Sequence, residues 1–223
     1  MPRIGNNVNL KYLGTSTTEH SYVHLISKFM NLHSTSLAPL FDRKDIFGRQ
    51  INLEDYKDKK LLIAFFRHAG CPFCNLRVLA LTKVHEKLKA KGLEMIFFFE
   101  SKESVLLRSI FHKEVSPIPL ISDPDKEIYA KYGLEESKSI SRNSHIITFI
   151  QTAIKAKYKG VPMNMPKVQE SLNTIPAEFL VGEGLRLKKL HYSKSLTDRL
   201  DLDLIEKFAD DSSIFDQDGK DAA

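Results

Sequence analysis

The two cysteines of this 223-residue chain stand two residues apart, in Cys71-Pro72-Phe73-Cys74. Both lie in one tetrapeptide, so they cannot staple distant parts of the chain, and a redox or metal role is left. The spacing predicts Cys71 at the start of a helix that follows a buried strand. Unpaired backbone N–H groups and the positive end of the helix dipole converge there and favour thiolate over thiol. Free cysteine titrates near 8.5 and cysteines in this setting at roughly 3.5–7.5, so Cys71 is expected to be ionised at neutral pH. Pro72 suits the first helical turn, where a missing N–H costs nothing. Cys74, one turn further on, faces the same side. It is placed to close a disulfide onto Cys71 once Cys71 has been oxidised or joined to a substrate sulfur. Arg67, His68 and Arg77 add positive charge nearby, although each also reads as a surface residue.

Two other readings compete. The thiols can be inert and buried, or His68, Cys71 and Cys74 can be metal ligands with His85 as a fourth. The sequence has no second Cys-x-x-Cys and no His-x-His pair. His85 would also lie about three turns further along the helix, too far to close a tetrahedral shell. Thiol redox chemistry is the reading retained.

The surrounding elements are those that would hold such a pair. Residues 61–66 are a continuous apolar run too short for a helix, the pattern of a strand buried on both faces. After the cysteines, Leu76, Ala80, Val84 and Leu88 recur every four residues, and Gly92 ends a helix of about five turns. Residues 93–99 repeat the buried strand. Residues 103–115, with Leu106, Leu107, Ile110 and Phe111, predict a second helix, hence a parallel pair of strands with a right-handed crossover. A short helix over 126–132 closes at Gly133. Residues 137–170 read as an insertion whose helix carries Lys155, Lys157 and Lys159 in its last turn. The runs 177–181 and 185–192, joined by Gly182-Glu183-Gly184, predict an antiparallel hairpin. A terminal helix follows over about 198–208, and an acidic tail from 210 is expected to be disordered.

Ahead of this core, 1–36 reads as an extension with one amphipathic helix begun by the capping-box pair Ser16 and Glu19. Residues 37–209 form the domain proper. A hydrophobic fraction of 42% and a charged fraction of 27% are those of an ordinary soluble domain, large enough to bury a core without staples. Net charge +5 and a pI near 9.0 are mild, and the basic clusters lack the interleaved aromatics of a single-strand binder, so no nucleic acid is expected. No run approaches the roughly 18 apolar residues of a membrane span. The expected location is cytoplasmic.

Strand, Cys-x-x-Cys at a helix start, second strand and helix, then Ile-Pro before a hairpin and a last helix resembles the thioredoxin-like fold. Three flanking segments narrow it. Leu37-Ala38-Pro39-Leu40-Phe41, Asp45-Ile46-Phe47-Gly48 and Ile51-Asn52-Leu53-Glu54-Asp55-Tyr56 are similar to the opening hairpin of the peroxiredoxin-like AhpC/TSA class. Pro119-Leu120-Ile121-Ser122-Asp123-Pro124-Asp125 with Tyr132-Gly133-Leu134 is similar to that class's segment before its last hairpin. The resemblance implies an α/β fold with a central mixed sheet flanked by helices. It implies that Cys71 is the attacking, peroxidatic cysteine, Cys74 the resolving one, and Pro176 a cis-proline beside the active thiol. It also implies a hydroperoxide or disulfide substrate, no bound cofactor, and an external thiol reductant such as thioredoxin or glutathione. Apart from the resemblance, the N-terminal helix and the 137–170 insertion are candidate subunit contacts of a homodimer.

The departures are equally specific. Typical members carry Pro-x-x-x-Thr-x-x-Cys and a distant arginine; the matching positions here are Ala64 and His68, and 171–175 contain no arginine. His68 is a candidate replacement for the threonine as hydrogen-bond donor. Cys-Pro-Phe-Cys itself looks more like the Cys-Pro-Tyr-Cys of glutaredoxins, so the whole resembles the peroxiredoxin-like 2 branch. Peroxide reduction and glutaredoxin-type disulfide exchange both remain open at this level.

Overall fold

The computed structural model describes residues 32–134, 146–163 and 174–216. The predicted N-terminal helix and both flanks of the 137–170 insertion lie outside them. An antiparallel hairpin, Asp42–Lys44 (β1) with Gln50–Asn52 (β2), opens the described chain, and Leu53–Tyr56 forms a 3-10 turn after it. Asn52 starts that turn by accepting the Glu54 N–H on its side chain. Gly48 has φ +83 at the hairpin bend, a conformation that a side chain would strain.

Lys60–Phe66 (β3) then enters the centre of the molecule, followed by the helix Pro72–Ala90 (α1) and the strand Leu93–Phe99 (β4), parallel to β3. Leu120–Ser122 (β5) pairs parallel with β4. Ala177–Gly182 (β6) returns antiparallel beside β3, and Arg186–Tyr192 (β7) pairs antiparallel with β6. The sheet order is β5-β4-β3-β6-β7, so β3 is central. This is the expected mixed sheet, with the cysteines at the carboxyl end of its middle strand.

The continuous apolar runs have the anticipated cause, since both faces are covered. Leu62, Ala64 and Phe66 of β3 and Met95, Phe97 and Phe99 of β4 pack under α1. Leu61, Ile63, Phe65, Ile96 and Phe98 pack on the other face against Tyr129, Tyr132 and the opening hairpin. Each such large side chain, fully removed from water, contributes roughly 1.5–3 kcal/mol of transfer free energy. Tyr129 and Tyr132 come from and beside the short helix Glu127–Lys131 (α4), which ends with Gly133 at φ +68. Asp123 starts α4 by accepting the N–H groups of Glu127, Ile128 and Tyr129 at 3.2, 2.8 and 3.2 Å.

Several expectations are corrected. The helix predicted over 103–115 is two single turns, Glu103–Leu106 (α2) and Ile110–Lys113 (α3). Between them the Ser109 N–H donates to the Leu106 carbonyl while the Ser109 hydroxyl accepts the His112 N–H, which restarts the chain in a new turn. The stripe of α1 that meets the sheet is Cys74, Val78, Leu81, His85 and Leu88. Leu76, Ala80 and Val84 are only half-buried, because α1 is covered on its flanks as well as from below. The flanking helices are Ile146–Tyr158 (α5), at the insertion's predicted place, and the terminal Leu202–Asp210 (α6). The chain reaches α6 later than predicted because 193–201 form a hydrogen-bonded loop beside the cysteines, described below. The tail is ordered further than expected: Ser212–Phe215 makes a 3-10 turn whose Phe215 packs on Phe208 of α6, ring centroids 6.0 Å apart. No helix among the described residues is long and apolar enough to cross a membrane.

Candidate active site

Cys71 is the residue preceding the first helical turn of α1, with an extended backbone (φ −73, ψ 112) and Pro72 directly after it. Its N–H donates to the His68 carbonyl at 3.0 Å and its carbonyl accepts the Asn75 N–H at 3.0 Å, so the bend from strand to helix is closed on both sides. The Ala69 N–H donates to Ser101 Oγ at 2.8 Å, and Ser122 Oγ donates to the Ser101 carbonyl at 2.8 Å. Ser101 therefore pins the 67–70 loop to the ends of β4 and β5. Asn75 Nδ2 donates to the carbonyls of Ala69 and Pro162 at 2.7 and 2.8 Å, tying the same loop to the chain after α5.

Both cysteines are free thiols lying 3 Å apart and are buried, Cys71 at 1% exposure and Cys74 at 0%. Burial alone would push both thiols up. For Cys71 it is outweighed by the hydrogen bond from Cys74, the charge of Arg67, the backbone of Cys74 and the charge of Arg199, which bring it down to about 6. For Cys74, burial and the neighbouring Cys71 sulfur act together and hold it well above the ordinary thiol value. The pair is thus divided into one thiolate and one thiol that donates to it. Arg67 Nη1 lies 3.7 Å from Cys71 Sγ, and the Arg67 N–H donates to Cys74 Sγ at 3.4 Å.

Arg77 takes a different place from the one its sequence position suggested. It points across to β6, where its Nε and Nη2 donate to the two carboxylate oxygens of Glu178 at 2.8 Å each. Its Nη2 also donates to the Leu200 carbonyl at 2.7 Å, and Glu178 in turn accepts the Leu200 N–H at 3.0 Å. This buried fork fixes the 193–201 loop and with it Arg199. Arg199 is 9% exposed, donates through Nη1 to Ser193 Oγ and the Asp198 carbonyl, and keeps Nε 3.9 Å from Glu178. Its Nε and Nη2 have no hydrogen-bond partner among the described residues. The chain lacks the threonine and arginine of the typical pattern, and the charges that lower Cys71 are those of Arg67 and Arg199.

His68 is buried at 4% exposure and contributes its carbonyl to the turn. Pro176 is buried just before β6, and its carbonyl accepts the Ser193 N–H at 3.0 Å. It is not a cis-proline: the one cis peptide bond among the described residues is Ser116–Pro117. At Pro176 the chain runs extended into β6, which the trans form serves. His85 is buried further along α1 with Nδ1 3.0 Å from Glu86, and no group of three or more His, Cys, Asp or Glu among the described residues is arranged to hold a metal ion.

Glu178 and Arg199 escaped the sequence reading. Glu178 carried a signal, a lone acid within an apolar strand, which calls for a buried partner. Arg199 carried none, because only the fold of the 193–201 loop brings it near α1. Glu100, buried after β4, is a further member: it accepts from Thr174 Oγ1 at 2.6 Å and lies 3.3 Å from Lys126. Burial pushes its carboxyl up, against Thr174, Lys126 and Arg67.

Residues 35–184 match the model of the AhpC/TSA family. The chain belongs to that family. Peroxiredoxin Bcp of Escherichia coli K12 is 28% identical over 123 residues, covering 53% of this chain and 78% of that protein. Among solved structures, a cysteine-to-serine mutant of peroxiredoxin 6 from Arenicola marina superposes with TM-score 0.59 at 14% identity, over 84% of this chain and 76% of that one. A thiol peroxidase from Chromobacterium violaceum superposes with TM-score 0.56 at 16% identity, over 82% and 88%. At these identities the two structures establish the fold.

Proposed function

We propose that this AhpC/TSA protein is a thiol peroxidase that uses Cys71 and Cys74 in turn. The observation that carries the reading is the unequal pair: Cys71 lowered to about 6 beside Cys74 held protonated. The Cys71 thiolate attacks the terminal oxygen of a hydroperoxide, the O–O bond breaks, and the departing oxygen takes up a proton to leave as water or an alcohol. Arg67 and Arg199 hold the thiolate and face the oxygen on which charge develops. Cys71 becomes a sulfenic acid. The Cys74 thiol attacks its sulfur and the hydroxyl leaves as water, giving the Cys71–Cys74 disulfide. An external dithiol or two monothiols then return the pair to the reduced form, so no bound cofactor takes part.

Disulfide exchange with a bulky oxidant is the second reading, supported by the Cys-Pro-Phe-Cys sequence. Exposures of 1% and 0% at the two cysteines favour the smaller oxidant. Stopped-flow oxidation of the reduced protein by hydrogen peroxide, and in parallel by glutathione disulfide, separates the two. A peroxidase shows sulfenic acid accumulating at Cys71 in Cys74→Ser, far faster than in free cysteine, and no reaction in Cys71→Ser. Peroxide oxidation no faster than free cysteine overturns the proposal.

A further inference from the structure

The peptide unit joining Phe66 to Arg67, at the end of the central strand, is engaged at both of its polar atoms. Its N–H, that of Arg67, donates to Cys74 Sγ at 3.4 Å. Its carbonyl, that of Phe66, accepts the Tyr129 hydroxyl. The two partners belong to opposite layers: Cys74 packs with α1 over one face of the sheet and Tyr129 with α4 over the other. This peptide is trans, so its N–H and C=O point in opposite directions and one rigid planar unit links the phenol to the sulfur.

Tyr129 is firmly set. It is 1% exposed, its ring stands edge-on to Phe65 with centroids 5.0 Å apart, and its N–H donates to Asp123 at 3.2 Å. For packing alone a phenylalanine would serve, as Phe65, Phe98 and Phe179 do in the same cluster. A buried hydroxyl costs free energy unless it is bonded, and the bond made here is to the peptide that holds Cys74. Burial, together with the charges of Glu100, Asp123 and Cys74, holds the phenol well above its ordinary range, so it stays a donor. A donor at the carbonyl polarises the whole peptide and strengthens the N–H at its far end.

Resting on the redox reading above, we propose that Tyr129 is a positioning residue for the second chemical step, the attack of Cys74 on oxidised Cys71. Through the Phe66–Arg67 peptide it keeps a strengthened N–H on Cys74 Sγ and stabilises negative charge on that sulfur. In the reduced pair the charge sits on Cys71 and opposes ionisation of Cys74. Oxidation turns Cys71 into a neutral sulfenic acid and removes that opposition, while the attraction of Arg199 and Arg67 for a Cys74 thiolate remains. Cys74 then gives up its proton and its sulfur electron pair forms the S–S bond to Cys71. The S–O bond breaks, and hydroxide takes up a proton and leaves as water. The charged groups acting on the two sulfurs are Arg67 at the end of β3 and Arg199 of the 193–201 loop, with His68 in the adjoining turn. Those acting on the phenol are Glu100 after β4 and Asp123 before α4.

The test compares the full-length parent with Tyr129→Phe, which keeps the ring and removes only the hydroxyl. After a pulse of hydrogen peroxide, samples are quenched with dimedone and read by mass spectrometry. Sulfenic acid at Cys71 is expected to pass to the disulfide about three- to tenfold more slowly in the variant at neutral pH. The two rates should converge as pH rises, because that factor corresponds to a pH profile displaced upward by about 0.5–1 unit. A hydroxyl that only supports the fold would slow the step equally at every pH; that result, or no slowing, overturns the proposal. A second measurement needs no peroxide. The thiolate absorbance of Cys74 is titrated in Cys71→Ser, where a neutral hydroxyl replaces the charged sulfur, and in Cys71→Ser/Tyr129→Phe, each against the same variant lacking Cys74. The variant without the phenol hydroxyl should titrate about 0.5–1 unit higher, and superimposable curves overturn the proposal. Slow oxidation of Cys71 by peroxide would instead sink the peroxidase reading and leave this titration to decide.

Discussion

Arg67 Nη1 sits 3.7 Å from Cys71 Sγ, and the same residue's backbone N–H donates to Cys74 Sγ. One residue at the end of β3 thus touches both sulfurs, charging one and anchoring the other. Replacing the guanidinium alone, as in Arg67→Met, keeps the backbone bond and removes the charge. An opposite charge at this range shifts a titration by about 1–3 pH units, so the Cys71 thiolate should form that much later in the variant. In the parent, the rate of alkylation by iodoacetamide should rise through about pH 6 and flatten well before pH 8. An unchanged profile in Arg67→Met would remove Arg67 from the account.

The Arg77–Glu178 fork lies below the cysteines with side chains 9% and 1% exposed. Removing one member of a buried pair leaves an uncompensated charge, which costs about 3–5 kcal/mol. Glu178→Ala strands two guanidinium groups, Arg77 and Arg199, and should lie at the upper end in urea unfolding. The double variant Arg77→Met/Glu178→Leu should recover much of the loss. The two variants separate stability from chemistry: in the double variant Arg199 loses its neighbour, so peroxide oxidation should stay slow although the fold is restored.

The order of strands, the buried centre and the place of Cys71 were legible because each rests on local signals: apolar runs, a proline after the first cysteine, glycines at helix ends. What escaped the reading depends on distant encounters. Ser101, Asn75 and Glu178 are ordinary polar residues until β4, α1 and β6 are assembled. Arg199 is set in place by a loop that Arg77 holds from more than a hundred positions away. The stripe of α1 was misplaced for a related reason. A helix covered below and on both flanks has no single polar side, so spacing alone selected Leu76, Ala80 and Val84 rather than Val78, Leu81 and His85. Pro176 was misread as cis from family pattern alone.

The tail makes a separate prediction. Phe215 is 9% exposed, packs on Phe208 and lies under the Lys189 ammonium group, 5.6 Å from its ring centroid. Phe215→Ala should cost about 3 kcal/mol in urea unfolding, the lower end for a buried phenylalanine, because the turn is terminal and can collapse. A disordered tail would show no change.

His112 gives the protein an acid limit. The ring is fully buried, neither nitrogen has a hydrogen-bond partner among the described residues, and it stands edge-on to Phe99 and Phe111. Burial pushes its titration down from 6.5 to about 4, with no compensating carboxylate. The folded protein therefore keeps the ring neutral where the unfolded chain already binds a proton. Above pH 6.5 the ring is neutral in both states and costs nothing; as pH falls from there towards 4, about 3 kcal/mol of stability is lost. His112→Phe keeps the aromatic contacts and removes the proton site. Its unfolding free energy should vary less than the parent's between pH 7 and pH 4, by close to that amount, whereas parallel pH curves would show that another group sets the acid limit.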